Sequence, residues 1–304
     1  MIEANLNLVA KLQDLDSLWN PLDLAGSENA LKSLLPEARQ LTGKDQGYLI
    51  ELMTLIAKAQ ALQQNLTESH ALLKEAELLL NNEQTQFRVS AKIRWLLEKG
   101  RLHILEKTPS QARGHFAEAW TLAINSGEDF FAVDIAQMMA TIEPPKIQQE
   151  WILQAIEIAE GSPMQKAKRW LGGLYTTLGW KLYDLRQFEK ALETFQTALR
   201  QLKAYGTERE VFVAKWSTGK ILRSLGKIEE ALVIQKALLS ELGIGGPRDG
   251  RLYEEIAECL QTLKRTSEAQ LYFELAYREL SSDEWITDNQ PLKLKRIKDL
   301  GKVK

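Results

Sequence analysis

The feature that most constrains this chain is a set of small residues that recurs along its length. Ala57, Gly100, Ala136, Gly179, Gly219 and Ala257 form one column. Twelve residues after each come Ser69, Ala112, Gln148, Ala191, Ala231 and Ala269, and seven further on Ala76, Ala119, Ala155, Ala198, Leu238 and Ala276. Sixteen of these eighteen positions are Gly, Ala or Ser, where ordinary usage supplies roughly a quarter. Between the last two columns runs a large one: Leu73, Phe116, Ile152, Phe195, Gln235 and Phe273. Two antiparallel helices approach closely only where side chains are small, and large residues then fill the space beside them. A hairpin of this kind cannot bury its own apolar face, so it must stack on the next one.

Local signals agree. Leu, Ala, Glu, Lys and Gln, all strong helix formers, dominate, and no period-two strand is evident. Thr108-Pro109-Ser110-Gln111, Ser162-Pro163-Met164-Gln165 and Thr207-Glu208-Arg209-Glu210 each read as a cap residue with Gln or Glu three positions on. Gly127, Gly161, Gly206, Gly226 and the run from Gly243 to Pro247 stand where helices should stop. This predicts about fourteen helices joined by short turns.

Residues 172–199 resemble the tetratricopeptide repeat (TPR) family. Tyr175, Leu178, Gly179, Leu182, Phe188, Ala191, Phe195 and Ala198 fall on the family's Trp, Leu, Gly, Tyr, Tyr, Ala, Phe and Ala positions, and Leu225-Gly226-Lys227-Ile228-Glu229-Glu230-Ala231 matches its interhelical turn. Residues 253–276 match less fully, and the earlier hairpins match only in the small columns. Successive Gly/Ala positions lie 43, 36, 43, 40 and 38 residues apart, against about 34 for the family, so the chain resembles a divergent, bacterial-looking member with longer repeats. The resemblance implies an all-α, right-handed α-α superhelix of antiparallel hairpins. The expected organisation is N-terminal capping helices over 1–45, six TPR-like hairpins over 46–281, and a C-terminal capping helix with a basic tail over 282–304.

Composition narrows function. With 39 Lys plus Arg, 41 Asp plus Glu and a net charge of −2, the chain lacks the basic excess that phosphate backbones require, so no nucleic acid is expected as a partner. One cysteine, Cys259, excludes an internal disulfide and fits a reducing cytoplasm. No apolar run approaches the ~20 residues of a membrane span, and the N-terminus lacks the pattern of a signal peptide. The chain reads as cytoplasmic, without a membrane association.

No motif calls for catalysis, a cofactor or a metal. His70, His103 and His115 have no metal-ligand spacing. Cys259 sits mid-helix beside an apolar stripe, as a small hydrophobe does. Ser217-Thr218-Gly219-Lys220 falls inside a helix and cannot offer the free amides of a phosphate loop. The segment from Gly243 to Gly250, with Arg248 and Arg251, reads as a turn between hairpins. Glu229 with Glu230, and Glu254 with Glu255, are expected on solvated helix faces. The C-terminal Lys293, Lys295, Arg296, Lys298, Lys302 and Lys304 read as a solubilising face.

The resemblance implies that the first helix of each hairpin lines a concave groove, with inner positions six and three before the small column and one and four after it. These offsets also share one helical face. They select Arg94, Leu97, Arg101 and Ile104; Phe130, Val133, Gln137 and Ala140; Thr176, Trp180 and Tyr183; Trp216, Lys220 and Arg223; and Arg251, Glu254, Glu258 and Gln261. Trp180 and Trp216 either face the groove as aromatic anchors or pack between helices. Lys220 and Arg223 beside them are suited to clamp a partner's carboxylate. The expected role is a non-catalytic adaptor that binds a partner protein or peptide through Arg101, Gln137, Trp180, Tyr183, Trp216, Lys220, Arg223, Glu254 and Glu258. The alternative is a sensor of a small ligand or signalling peptide in the same groove.

Overall fold

A computed structural model describes residues 14–41, 46–82, 88–243 and 248–303. Among them no strand occurs. The chain divides into two compact units, residues 1–168 and 169–304.

The first unit holds three hairpins: α1 (Gln46–Leu62) with α2 (Leu66–Leu80), α3 (Val89–Leu105) with α4 (Pro109–Ser126), and α5 (Asp129–Ile142) with α6 (Pro145–Gly161). The second holds α7 (Leu171–Asp184) with α8 (Phe188–Tyr205), α9 (Glu208–Ser224) with α10 (Ile228–Leu242), and α11 (Gly250–Thr262) with α12 (Thr266–Leu280), followed by a terminal helix, α13 (Pro291–Gly301). Shorter helical pieces occupy Leu15–Leu18, Leu24–Ser33, Leu35–Ala38, Gln165–Lys168 and Glu284–Asn289.

The small columns do what their chemistry suggests. A methyl added to Gly100 would meet Phe116 Cε1 at 2.2 Å, one on Gly179 would meet Phe195 Cε2 at 2.5 Å, and one on Gly219 would meet Gln235 Nε2 at 2.5 Å. The second helix therefore presses its large residue straight onto the backbone of the first. Phe116, Phe195 and Phe273 are fully enclosed as a result. Ser69, in the second column, donates its hydroxyl to the carbonyl of Ala57 at 2.9 Å, so this polar residue is satisfied within its own hairpin.

The turns repeat as well. Seven residues after the small column, Gln64, Lys107, Arg186, Gly226 and Lys264 all take a left-handed φ between 58° and 78°. The following amide donates to the carbonyl five residues back in each case, at 2.8–2.9 Å. This closes the first helix and reverses the chain. The third hairpin differs. Glu143 precedes Pro144 and is extended (φ −93°, ψ 156°), as a residue before proline must be.

Of the expected helix starts, Thr207 forms the full reciprocal cap with Glu210. Thr108 does not: its hydroxyl donates to the carbonyl of His103 at 3.0 Å, inside the left-handed turn, and leaves only Pro109 to start α4. Ser162 follows the end of α6 rather than opening a long helix, and it accepts from Met164 N at 3.1 Å. The Gly243–Pro247 stop falls largely on 244–247, outside the described residues, as do 1–13 and 42–45 of the expected N-terminal cap.

Both ends are tied down. Arg94 on α3 donates to Asp16 at 3.0 Å and lies 3.4 Å from Glu51, which binds the Leu15–Leu18 turn to the first two hairpins. Gln60 and Gln63 donate to Glu28 at 3.0 and 2.7 Å. At the other end Ile297 of α13 is buried and Gly301 lies against the backbone of Glu274 on α12.

The close approach makes a paired test within α7. Gly179→Ala drives a methyl into the Phe195 ring and is expected to destabilise the protein by about 1–3 kcal/mol. Gly173→Ala, whose methyl meets nothing within 4 Å, is expected to be neutral or stabilising by up to ~1 kcal/mol. Urea unfolding followed by circular dichroism separates the two.

Candidate functional site

In the second unit, α7 and α9 place three aromatic side chains together. The Trp180 ring centroid lies 5.5 Å from that of Tyr183, 6.0 Å from that of Trp216 and 5.2 Å from that of Phe195. All three expected anchors are half-buried. Trp180 thus does both things its position allowed: it packs edge-on to the enclosed Phe195 and keeps part of its ring accessible. Trp216 donates its indole N–H to the carbonyl of Arg251 at 3.3 Å, and the Tyr183 hydroxyl meets the Ser224 hydroxyl at 3.2 Å. The indole N–H of Trp180 has no protein partner among the described residues.

The charged residues beside them are already engaged. Lys220 donates to Glu255 Oε1 at 2.6 Å, and Arg223 grips the same carboxylate through Nε at 2.8 Å and Nη2 at 3.1 Å. Glu255 is only 1% exposed. The expectation of an open Lys220–Arg223 clamp is therefore corrected: the counter-charge comes from the next hairpin of the same chain. Burial alone would raise the Glu255 carboxyl, but the Arg223 hydrogen bond and the Lys220 charge hold it below the usual carboxylate range. The same partnership holds the Arg223 guanidinium firmly protonated against the cost of its burial.

Glu254 and Glu258 are likewise paired. Lys293 reaches Glu254 at 2.7 Å and Arg296 binds Glu258, both from α13. Glu254 and Glu255 are thus buried rather than solvated, and two of the C-terminal bases hold α13 in place rather than only decorating a surface. Sequence reading missed this because it treated the acidic pair and the basic tail separately. Of the inner positions six and three before the small column, Arg94, Leu97 and Val133 are buried by neighbouring helices, whereas Phe130 and Thr176 are half-buried and Arg251 is exposed.

The first unit shows the same device. Arg101 binds Glu98 on its own helix and Asp134 on α5, the latter at 2.5 Å. Burial opposes its charge, yet the two carboxylates keep it fully protonated. Gln137, one turn beyond Asp134, has a buried side-chain N–H group with no partner among the described residues. A register rule connects the two units. The acids Glu98, Asp134 and Glu255 stand two residues before the small column, and the bases Arg101 and Lys220 one residue after it. A base of one hairpin meets the acid of the next. That spacing is readable in the sequence once the small column is known.

The three histidines converge in the first unit. His70 and His103 lie 2.5 and 3.2 Å from the two oxygens of Glu106, and His103 stacks on His115 with centroids 5.3 Å apart. Burial lowers the pKa of both His103 and His115, and their mutual charge lowers it further for His115. Among the described residues no group of three His, Cys, Asp or Glu is placed to hold a metal ion. Burial pushes the Cys259 thiol up to about 12, so it holds no thiolate near neutrality.

A scan against protein-family models finds no match, and a search of the curated proteins finds none either. Solved structures do resemble the chain. The apo form of the quorum sensor NprR from Bacillus thuringiensis is 15% identical with a TM-score of 0.63, over 93% of this chain and 80% of that one. A structure of NprR in complex with its cognate peptide NprX is 14% identical with a TM-score of 0.50, over 91% and 79%. The C-terminal part of a TPR repeat-containing protein from Cytophaga hutchinsonii is 11% identical at 0.53, over 91% and 98%, and aspartyl phosphate phosphatase F from Bacillus subtilis is 15% identical at 0.55, over 91% and 74%. The chain has a TPR-like fold. Among the described residues no helix is long and apolar enough to cross a membrane.

Two measurements probe these groups. Glu255→Gln leaves two cations facing a neutral amide, and is expected to cost about 3 kcal/mol, read by urea unfolding of the Trp fluorescence. Because the folded-state pKa of Glu255 is depressed, its contribution is present above about pH 4.5 and is lost as pH falls through the folded value, so the variant should show a flatter acid limb. The lowered histidines act in another window. The unfolded chain binds their protons first, so stability should fall as pH drops from about 6.5. His115→Gln is expected to weaken that slope in thermal melts between pH 7.5 and 5.5.

Proposed function

We propose that this chain is a non-catalytic, cytoplasmic TPR-like adaptor, and that residues of the inner helices take a segment of a partner protein or peptide. The arrangement proposed is six hairpins over 46–281 between capping segments at 1–45 and 282–304. The observation that carries the reading is the aromatic cluster of the second unit. Trp180, Tyr183 and Trp216 are half-buried, mutually supported, and bordered by a fixed ion-pair network. Ring faces held rigidly before binding lose little entropy on complex formation, and aromatic anchors of this kind dominate binding energies. The free Trp180 N–H adds a donor that can fix the register of a peptide carbonyl.

Lys220, Arg223, Glu254 and Glu258 serve in this reading as a rigid frame and a polar rim, since each already holds an intramolecular partner. Arg101 and Gln137 hold the corresponding positions of the first unit, one residue after the small column. That NprR is described with a cognate peptide supports a peptide as the occupant. The name of the phosphatase neighbour belongs to that protein, and the raised Cys259 thiol and the engaged acids of this chain favour binding over catalysis.

A random peptide library selected on the full chain tests the reading. Selected peptides should bind Trp180→Ala at least tenfold more weakly, as truncation of an anchor implies, while the folded variant keeps the helicity of wild type at the assay temperature. Peptides that bind wild type and Trp180→Ala equally, and Trp216→Ala equally, would remove the aromatic cluster from the site.

A further inference from the structure

The first unit contains a cavity of about 340 Å³, partly open to solvent and lined from α1, α3 and α5. Almost all of its wall is carbon, chiefly Ala61, Leu62, Ile104, Leu105 and Met138. The sequence leaves room there. Four residues after the small column stand Ile104, Tyr183 and Arg223 in other hairpins, but only Ala61 in the first. Ala61 is itself buried, so the chamber lies where a larger side chain is missing.

The polar groups around it are all engaged. Ser69 donates to the carbonyl of Ala57 at 2.9 Å, and Thr141 to that of Met138 at 2.7 Å. Arg101 is shared by Glu98 and Asp134. Lys58 feels the charge of both acids and balances the surplus one. Its ammonium lies over the Trp19 ring, 4.4 Å from the centroid, rather than in the cavity. Two cations and two carboxylates therefore leave no net charge for a ligand to answer. An ionised group entering the chamber would lose its water and gain no counter-charge. A neutral donor or acceptor would lose its water partners without replacement.

We infer that this cavity binds an uncharged, apolar small molecule, a compact ring or branched hydrocarbon skeleton packed against Ile104, Leu105 and Met138. Water in such a chamber finds few partners, and its release drives binding. Met138, unbranched and polarizable, adapts its shape to a ring and makes a favourable sulfur contact with an aromatic edge. A chamber of ~150 Å³ holds benzene, so this one has room for about fourteen non-hydrogen atoms. The site lies wholly in the first unit and is independent of the aromatic cluster proposed for a partner protein.

Titration calorimetry on the full chain with naphthalene, and with naphthalene-1-sulfonate as its charged counterpart, tests the inference. Wild type is expected to bind naphthalene saturably, one per chain, with a negative heat-capacity change, and about tenfold or more tightly than the sulfonate, whose charge finds no partner. Ala61→Leu fills the chamber from within and should weaken naphthalene by about tenfold or more, with a melting temperature at or above that of wild type. Thr141→Trp, an exposed substitution at the rim, should weaken it by about tenfold without touching the core. A sulfonate that binds as tightly as naphthalene, wild-type naphthalene affinity in either folded variant, or no saturable naphthalene binding by a chain with a normal melting temperature would each overturn it.

Discussion

At the centre of each hairpin one large side chain lies directly against a residue that has almost none. Phe116 on Gly100 and Phe195 on Gly179 are the tightest cases. The separation of the two helices, and so the angle at which every inner side chain leaves its helix, follows from that contact. The columns are complementary in volume: Ala57 is matched with Leu73 and Ala136 with Ile152, while glycine faces a ring in two of the hairpins. Gln235 is the exception. It fills the place of a ring above Gly219 and donates to the carbonyl of Trp216 at 3.0 Å, but its own oxygen is buried without a partner among the described residues. Packing there is traded for a tether to the backbone that carries the Trp216 anchor.

A second constraint acts between hairpins rather than within them. Apolar stacking is tolerant of small slips, because many arrangements bury similar area. Buried charges are not, since each needs a counter-charge at a fixed distance. Arg101 on Asp134 in the first unit, and Lys220 with Arg223 on Glu255 in the second, set the register of neighbouring hairpins in this way. The histidines around Glu106 and the Arg94 clamp on Asp16 extend the same logic to the edge of the first unit.

The hairpins were legible because helix contact imposes a local periodicity that single residues reveal. Small columns, the large column and the turn at Gly226 all follow from distances inside one repeat. The turns at Gln64, Lys107, Arg186 and Lys264 were harder to read, because non-glycine residues hold the left-handed φ there. Thr108 was misread as a cap because the turn before it claims its hydroxyl. The inner face was only partly legible. Trp180, Tyr183 and Trp216 do meet, and Arg101 binds Asp134, one turn before Gln137. Glu255 was read as solvated because its burial depends on Lys220 and Arg223 of the preceding hairpin, a relation that shows only when the small columns of two hairpins are aligned.

The ion pairs that bridge hairpins also bear on how long such an array can be. Lys220 and Arg223 belong to one repeat and the carboxylate that neutralises them to the next. A chain shortened by its last repeat would keep both cations and lose the acid they share, so the joint between α10 and α11 is not a free place to end. Lengthening meets the mirror condition: an added repeat at that joint must bring its own acid two positions ahead of its small residue. Charge placement, more than apolar area, thus fixes where repeats can be gained or lost.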